Sequence, residues 1–173
     1  MRSLSCLFVL AVIAVPVRAE EKVNVDKAVE LAKVMEKAVL AGEHAKVVEL
    51  THPKVVEAMG GKEKMIEAID KIMSAMKAQG IAIKSHTIGK PEEPVVDGKS
   101  AFVVLPTKLE MTAPQTKIAV ESYLLGFTTD NGKSWLFVDG AGLNEGPAKE
   151  MIVPLLPKAL KLPAPKPPVV TKE

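Results

Sequence analysis

The apolar residues of this chain change their period once, at Gly80–Ile81. Before that point they recur every three or four residues, the spacing of one face of an α-helix. Ala28, Leu31, Ala32, Met35 and Val39 form one such stripe, and Met65, Ile66, Ile69, Ile72, Met73 and Met76 form another. After it the period is two, as in a strand that buries one face. Helices followed by strands, rather than alternating with them, predict an α+β fold: three to four N-terminal helices packed on a curved four-stranded antiparallel sheet. Met65, Ile69, Ile72, Met73 and Met76 are then expected to be buried against that sheet.

Local chemistry sets the element boundaries. Asn24 can cap a helix that runs to Ala41 and stops at Gly42. A second helix covers about Glu43 to Leu50, where Thr51-His52-Pro53 interrupts it. Pro53 suits the first turn of a third, short helix that ends at Gly60-Gly61. The fourth runs from Lys62 to Gln79. Strands are expected over Ile81–Gly89, Ala101–Met111, Gln115–Thr129 and Ser134–Asp139, with turn chemistry at Pro91–Pro94 and Asp97-Gly98. Pro106 suggests a bulge or an edge position in the second strand.

The first nineteen residues read as an address. Arg2 is positive, Leu7 to Val15 is an unbroken apolar run, and Val17-Arg18-Ala19 ends in the pattern a signal peptidase cuts. The apolar run is short for a bilayer span. Residues 1–19 are therefore expected to be a signal peptide, giving an exported protein (periplasmic or secreted) with no membrane span after cleavage. Residues 20–146 would form the α+β domain. Residues 147–173 would form a Pro-rich C-terminal segment, with a short docked helix over Pro147–Leu160 and an extended, disordered end from Leu162.

The only cysteine, Cys6, and both arginines, Arg2 and Arg18, lie in this leader. The chain beyond residue 19 has no disulfide or thiol chemistry open to it. It balances lysines against 21 acidic residues, so the formal charge of +2 belongs to the leader. Without arginine or a basic excess, nucleic-acid binding is excluded as a function class. No Gly-rich phosphate loop, His-Glu-x-x-His, Gly-x-Ser-x-Gly or calcium loop occurs, so no cofactor and no metal are expected.

The run Leu40-Ala41-Gly42-Glu43-His44-Ala45-Lys46-Val47-Val48-Glu49-Leu50, followed by Gly60-Gly61-Lys62-Glu63-Lys64-Met65-Ile66, resembles the opening of nuclear transport factor 2-like (cystatin-like cone) domains. Lys62 stands where that family usually has arginine. The resemblance implies a strongly curved sheet with a pocket between sheet and helices, used either for binding or for catalysis. It also implies that a catalytic member would need an Asp, Tyr or His deep in the cone. The residues of those types are His52, His86, Tyr123 and Asp139; His52, Tyr123 and Asp139 are the pocket candidates. His52, just before Pro53, reads equally as a helix cap. His86 shares the strand parity of Lys84, which places it toward solvent. No two of the four form a catalytic motif, so no catalytic residue is assigned.

Thr128-Thr129-Asp130-Asn131-Gly132-Lys133-Ser134-Trp135 resembles an Asp-box, the hairpin of sialidase-type propellers. A single copy in a chain too short for a propeller points to a structural role. Asp130 would accept hydrogen bonds from loop amides and from Ser134, Gly132 would take positive φ, and Trp135 would cover the turn. A two-residue tip sets Gly126 opposite Phe137 and Leu124 opposite Asp139. Both sheet faces are then apolar. One takes the helices; the other needs a homodimer partner or the fold-back of residues 147–162. The function expected is an exported, non-catalytic small-molecule-binding or protein-interaction module. The alternative is a small hydrolase or isomerase using the pocket between helices and sheet.

Overall fold

The structure, a computed structural model, describes residues 23–144 and 147–172; the expected signal peptide, residues 1–19, lies outside them. Six α-helices and six strands are present among the described residues, and the sheet is antiparallel, curved and unclosed. Helix α1 (Val25–Ala41) starts where Asn24 Oδ1 accepts the Lys27 N–H at 3.2 Å and ends at the left-handed Gly42. Helices α2 (His44–Glu49), α3 (Pro53–Ala58) and α4 (Lys62–Ala78) follow. In α1 the stripe Ala28, Ala32, Met35 and Ala38 is buried. Its small residues let the helix axis approach the sheet closely.

The stripe of α4 departs from expectation. None of its residues is buried, and Ile72 is 60% exposed. Helix α1 occupies the sheet face, and α4 packs on α2 and α3 instead. Amphipathic spacing fixes which side of a helix turns inward, but not what it meets.

Strands β1 (Ala82–Ile88), β3 (Ser100–Ala113), β4 (Thr116–Thr128) and β5 (Leu136–Asp139) lie in that order across the sheet. Two short strands add to the expected four. β2 (Val95–Asp97) pairs with β3, and β6 (Val169–Lys172) pairs with β4. Pro106 sits inside a central strand, at the stretch where β3 faces the link between β1 and β2. There the Gly89 N–H donates to its carbonyl at 2.7 Å, and no neighbouring strand needs the N–H that proline lacks.

A register shift between Ile83 and Ser85 bulges β1 at Lys84. One extra residue inverts the facing of everything beyond it. His86 therefore points to the helix side and is half-buried, rather than sharing solvent with Lys84.

The hairpin register is as expected, with Gly126 opposite Phe137 and Leu124 opposite Asp139. The tip is a held loop rather than a tight two-residue turn. Asp130 Oδ1 accepts the Lys133 and Ser134 N–H groups at 3.0 Å each, and Oδ2 accepts the Ser134 hydroxyl at 2.7 Å. Thr128 Oγ1 donates to Asp130 at 2.7 Å and accepts the Gly132 N–H at 3.0 Å. Trp135 does not cover the turn. It is buried under α1, and its Nε1–H donates to Asn24 O at 3.1 Å. Gly132 (φ +83°) lies against the same residue; a Cβ there would fall 2.6 Å from Asn24 N. The Asp-box loop thus clamps the start of α1.

The amides and hydroxyls around Asp130, the Ser134 N–H foremost, hold its pKa down at about 2. A depressed carboxyl stabilises the fold above its unfolded pKa and ceases to do so as pH falls through the folded one. Acid titration of Trp135 emission, from about pH 5 to about pH 2, should therefore show a loop transition. Asp130→Asn should loosen the loop already at neutral pH and abolish that transition. An identical titration in both proteins would refute the role given to Asp130.

The second sheet face carries Phe102, Val104, Tyr123, Leu125, Phe127 and Val138. It is covered by the chain itself. Leu143 of α5 (Gly140–Asn144) and Ile152 of α6 (Pro147–Ile152) are buried there, and Leu156, Leu160 and Leu162 pack at the edge. Of the two covers expected for that face, the fold-back of the C-terminal segment is the one seen. The C-terminus also differs from the expected disordered end: it is extended through Pro163–Pro168 and then forms β6.

Candidate functional site

Between the first sheet face and the helices lies a cavity of about 190 Å³. Met35 and Val39 of α1, Val47 of α2, Met65 of α4 and Leu124 and Phe137 of the sheet give it an apolar lining. The segment joining α2 to α3 closes one side. The His52 N–H donates to Phe137 O at 2.8 Å, and the Phe137 N–H donates to Leu50 O at 2.8 Å, clipping the segment onto β5. The Thr51 hydroxyl is spent on Val47 O at 2.8 Å.

Two titratable groups remain on the wall, His86 and Asp139. His86 Nδ1 is buried and has no hydrogen-bond partner among the described residues. Burial lowers its pKa, partly offset by the charges of Glu36 and Asp139. Asp139 stands at the end of β5. Its Oδ1 accepts the Ala141 N–H at 2.8 Å, as a helix cap does for α5. Protein packed about the carboxyl raises its pKa, opposed by that N–H and by His86. Asp139 is nonetheless exposed as a residue, so it sits at the rim, where solvent moderates the shift. The two groups share no hydrogen bond. Among the described residues no three His, Cys, Asp or Glu side chains gather closely enough to hold a metal ion.

Neither a protein-family model nor a curated protein matches this chain. Its own geometry must therefore indicate what the site does.

Of the sequence candidates, only Asp139 lines this cavity. His52 is the N-cap of α3, its Nδ1 accepting the Lys54 N–H at 3.3 Å, and its ring tilts on Phe127 with centroids 4.8 Å apart. Tyr123 lies on the opposite sheet face, 2% exposed, with its hydroxyl unpartnered. Burial raises its pKa, and the Asp139 charge adds to that. His86 is the cavity-lining side chain that strand parity misplaced. Its signal would have been the bulge at Lys84, which depends on pairing with β3 and leaves no local mark.

Proposed function

We propose that this chain is an exported, non-catalytic binding module of the nuclear transport factor 2-like type. Its ligand is a ring-sized, mostly apolar small molecule, held in the cavity between helices and sheet. The observation that carries this reading is the pairing of an apolar cavity of about 190 Å³ with one buried, unpartnered ring nitrogen, His86 Nδ1. An apolar space of this size takes a benzene-sized guest. A buried polar atom without a partner gives such a guest one point of recognition. Export rests on the leader. No helix among the described residues is long and apolar enough to cross a membrane.

A hydrolase or isomerase is the second reading, favoured by one fact: His86 and Asp139 line the same cavity, and each is affected by the other's charge. A proton relay would require them to be joined directly or through a substrate. The absent hydrogen bond favours the binder.

Calorimetric titration with benzene and phenol tests the first reading. Phenol should bind about fivefold more tightly than benzene, the worth of about one hydrogen bond. In His86→Leu the preference should vanish while benzene still binds. Equal affinities for the two probes in the unaltered protein would remove His86 from the site.

A further inference from the structure

The opposite face of the sheet holds a second, larger space. β5 pairs with β4 at Leu124–Phe127 and β6 pairs with it at Thr116–Ala119, so the edge of β4 from Val120 to Tyr123 is left between them. Residues 163–166 pass over this gap. They are Pro163, Ala164 and Pro165, too small or too stiff to fill it, and Lys166, whose side chain is turned to Glu121. Beneath them is a groove of about 490 Å³, whose lining includes Pro106, Glu121, Tyr123 and Ala141. The volume lies within the range of sites for drug-sized ligands, unlike the smaller cavity on the other face.

The segment above the groove is pinned at both ends. Leu160 and Leu162 pack on the apolar cluster before it, and β6 joins the sheet after it. In the middle, Lys166 Nζ meets Glu121 Oε2 at 2.6 Å, an exposed ion pair of the kind that opens readily. The chain therefore forms a strap with open space beneath it. One group in that space lacks a partner. Tyr123 is 2% exposed, it lines the groove, and its hydroxyl makes no hydrogen bond among the described residues. Both lysines of the lining are paired, Lys166 with Glu121 and Lys108 with Glu110, and the Glu92 carboxylate is the one lining charge without an ion pair among the described residues. An anionic guest therefore finds no free cation there, and the rest of the wall is mainly apolar.

We infer that the groove under the C-terminal strap is a second binding site, for an uncharged, mostly apolar molecule of drug-like size with one oxygen that bonds to the Tyr123 hydroxyl. The site is independent of the cavity on the helix side. The strap admits the guest by releasing Lys166 from Glu121 and re-forms over it.

Nile red is a suitable probe, being uncharged, largely apolar and equipped with a carbonyl. Its emission should rise saturably with one site per chain. Tyr123→Phe keeps the ring and should weaken binding about five- to tenfold. Deleting residues 163–173 leaves Leu160 and Leu162 in place and should weaken it by more than about tenfold, with Trp135 emission confirming the fold. His86→Leu should leave the affinity unchanged. Absence of saturable binding, or an affinity indifferent to Tyr123→Phe, would overturn the site even if the deletion proved unstable. Loss of binding in His86→Leu alone would place the probe in the other cavity and overturn it equally.

Discussion

Trp135→Ala should cost about 3–5 kcal/mol, the range for emptying a core site of an aromatic ring. Three roles meet in this side chain. It is 1% exposed within the cluster that includes Ala28, Ala32, Val103 and Phe137. It also bonds through Nε1–H to Asn24 O, the residue that caps α1. Finally, it fills the face of Gly126, where a Cβ would lie 3.2 Å from the Trp135 ring and 3.0 Å from Val103. Removing the ring opens a void beneath α1 and unties the hairpin from the helix it clamps. Thermal or urea unfolding followed by far-UV circular dichroism reads the loss. Trp135→Phe, which keeps part of the volume but not the N–H, should fall between the two. A Trp135→Ala protein within about 1 kcal/mol of the unaltered one would show that the clamp is incidental.

Truncation before Pro147 should be more damaging still. It removes Ile152, which is fully buried, and with it the cover over Phe102, Val104 and Leu125. Ile152 alone is worth about 2–5 kcal/mol by analogy with truncations of buried isoleucine. The rest of the loss is exposure of a contiguous apolar face on a sheet, a surface prone to association. Light scattering should find the full chain monomeric and the truncated one aggregated. Truncation after Leu162 should be tolerated, since that leaves Leu156, Leu160 and Leu162 on the cluster. A stable, monodisperse protein ending at residue 146 would mean that the C-terminal segment covers nothing essential.

These elements also show which parts of the structure are written locally. The ends of α1 were legible because Asn24 and Gly42 act within one turn of themselves. The β4–β5 register was legible because Asn131-Gly132 fixes the tip from which pairing is counted. The α4 stripe gave the helix but not its neighbour, since α1 had already taken the sheet. β6 was hidden by the prolines before it. Val169 and Val170 are strand formers, but the strand exists only because Ile118 and Ala119 lie opposite them. The site was the least legible part. Asp139 was found by type and position. His86 was turned away by an alternation that the bulge at Lys84 breaks, and Tyr123 and His52 were placed on elements that do not converge.

Acid should weaken the fold through His86 as well. Its folded pKa is depressed, so below the ordinary histidine range the unfolded chain binds the proton first and stability falls. The unfolding midpoint should therefore drop as pH is lowered from about 7 to about 5, and less steeply in His86→Leu.

The histidine rings offer the most direct test of the binding reading. The chain has three, and His44 and His52 lie outside the helix–sheet cavity that His86 lines. Long-range ¹⁵N–¹H correlation of the imidazoles during a phenol titration separates them. If the cavity is the binding site, the His86 Nδ1 resonance moves saturably toward that of a hydrogen-bonded nitrogen while those of His44 and His52 stay in place. A His86 signal unmoved at saturating phenol would contradict that reading.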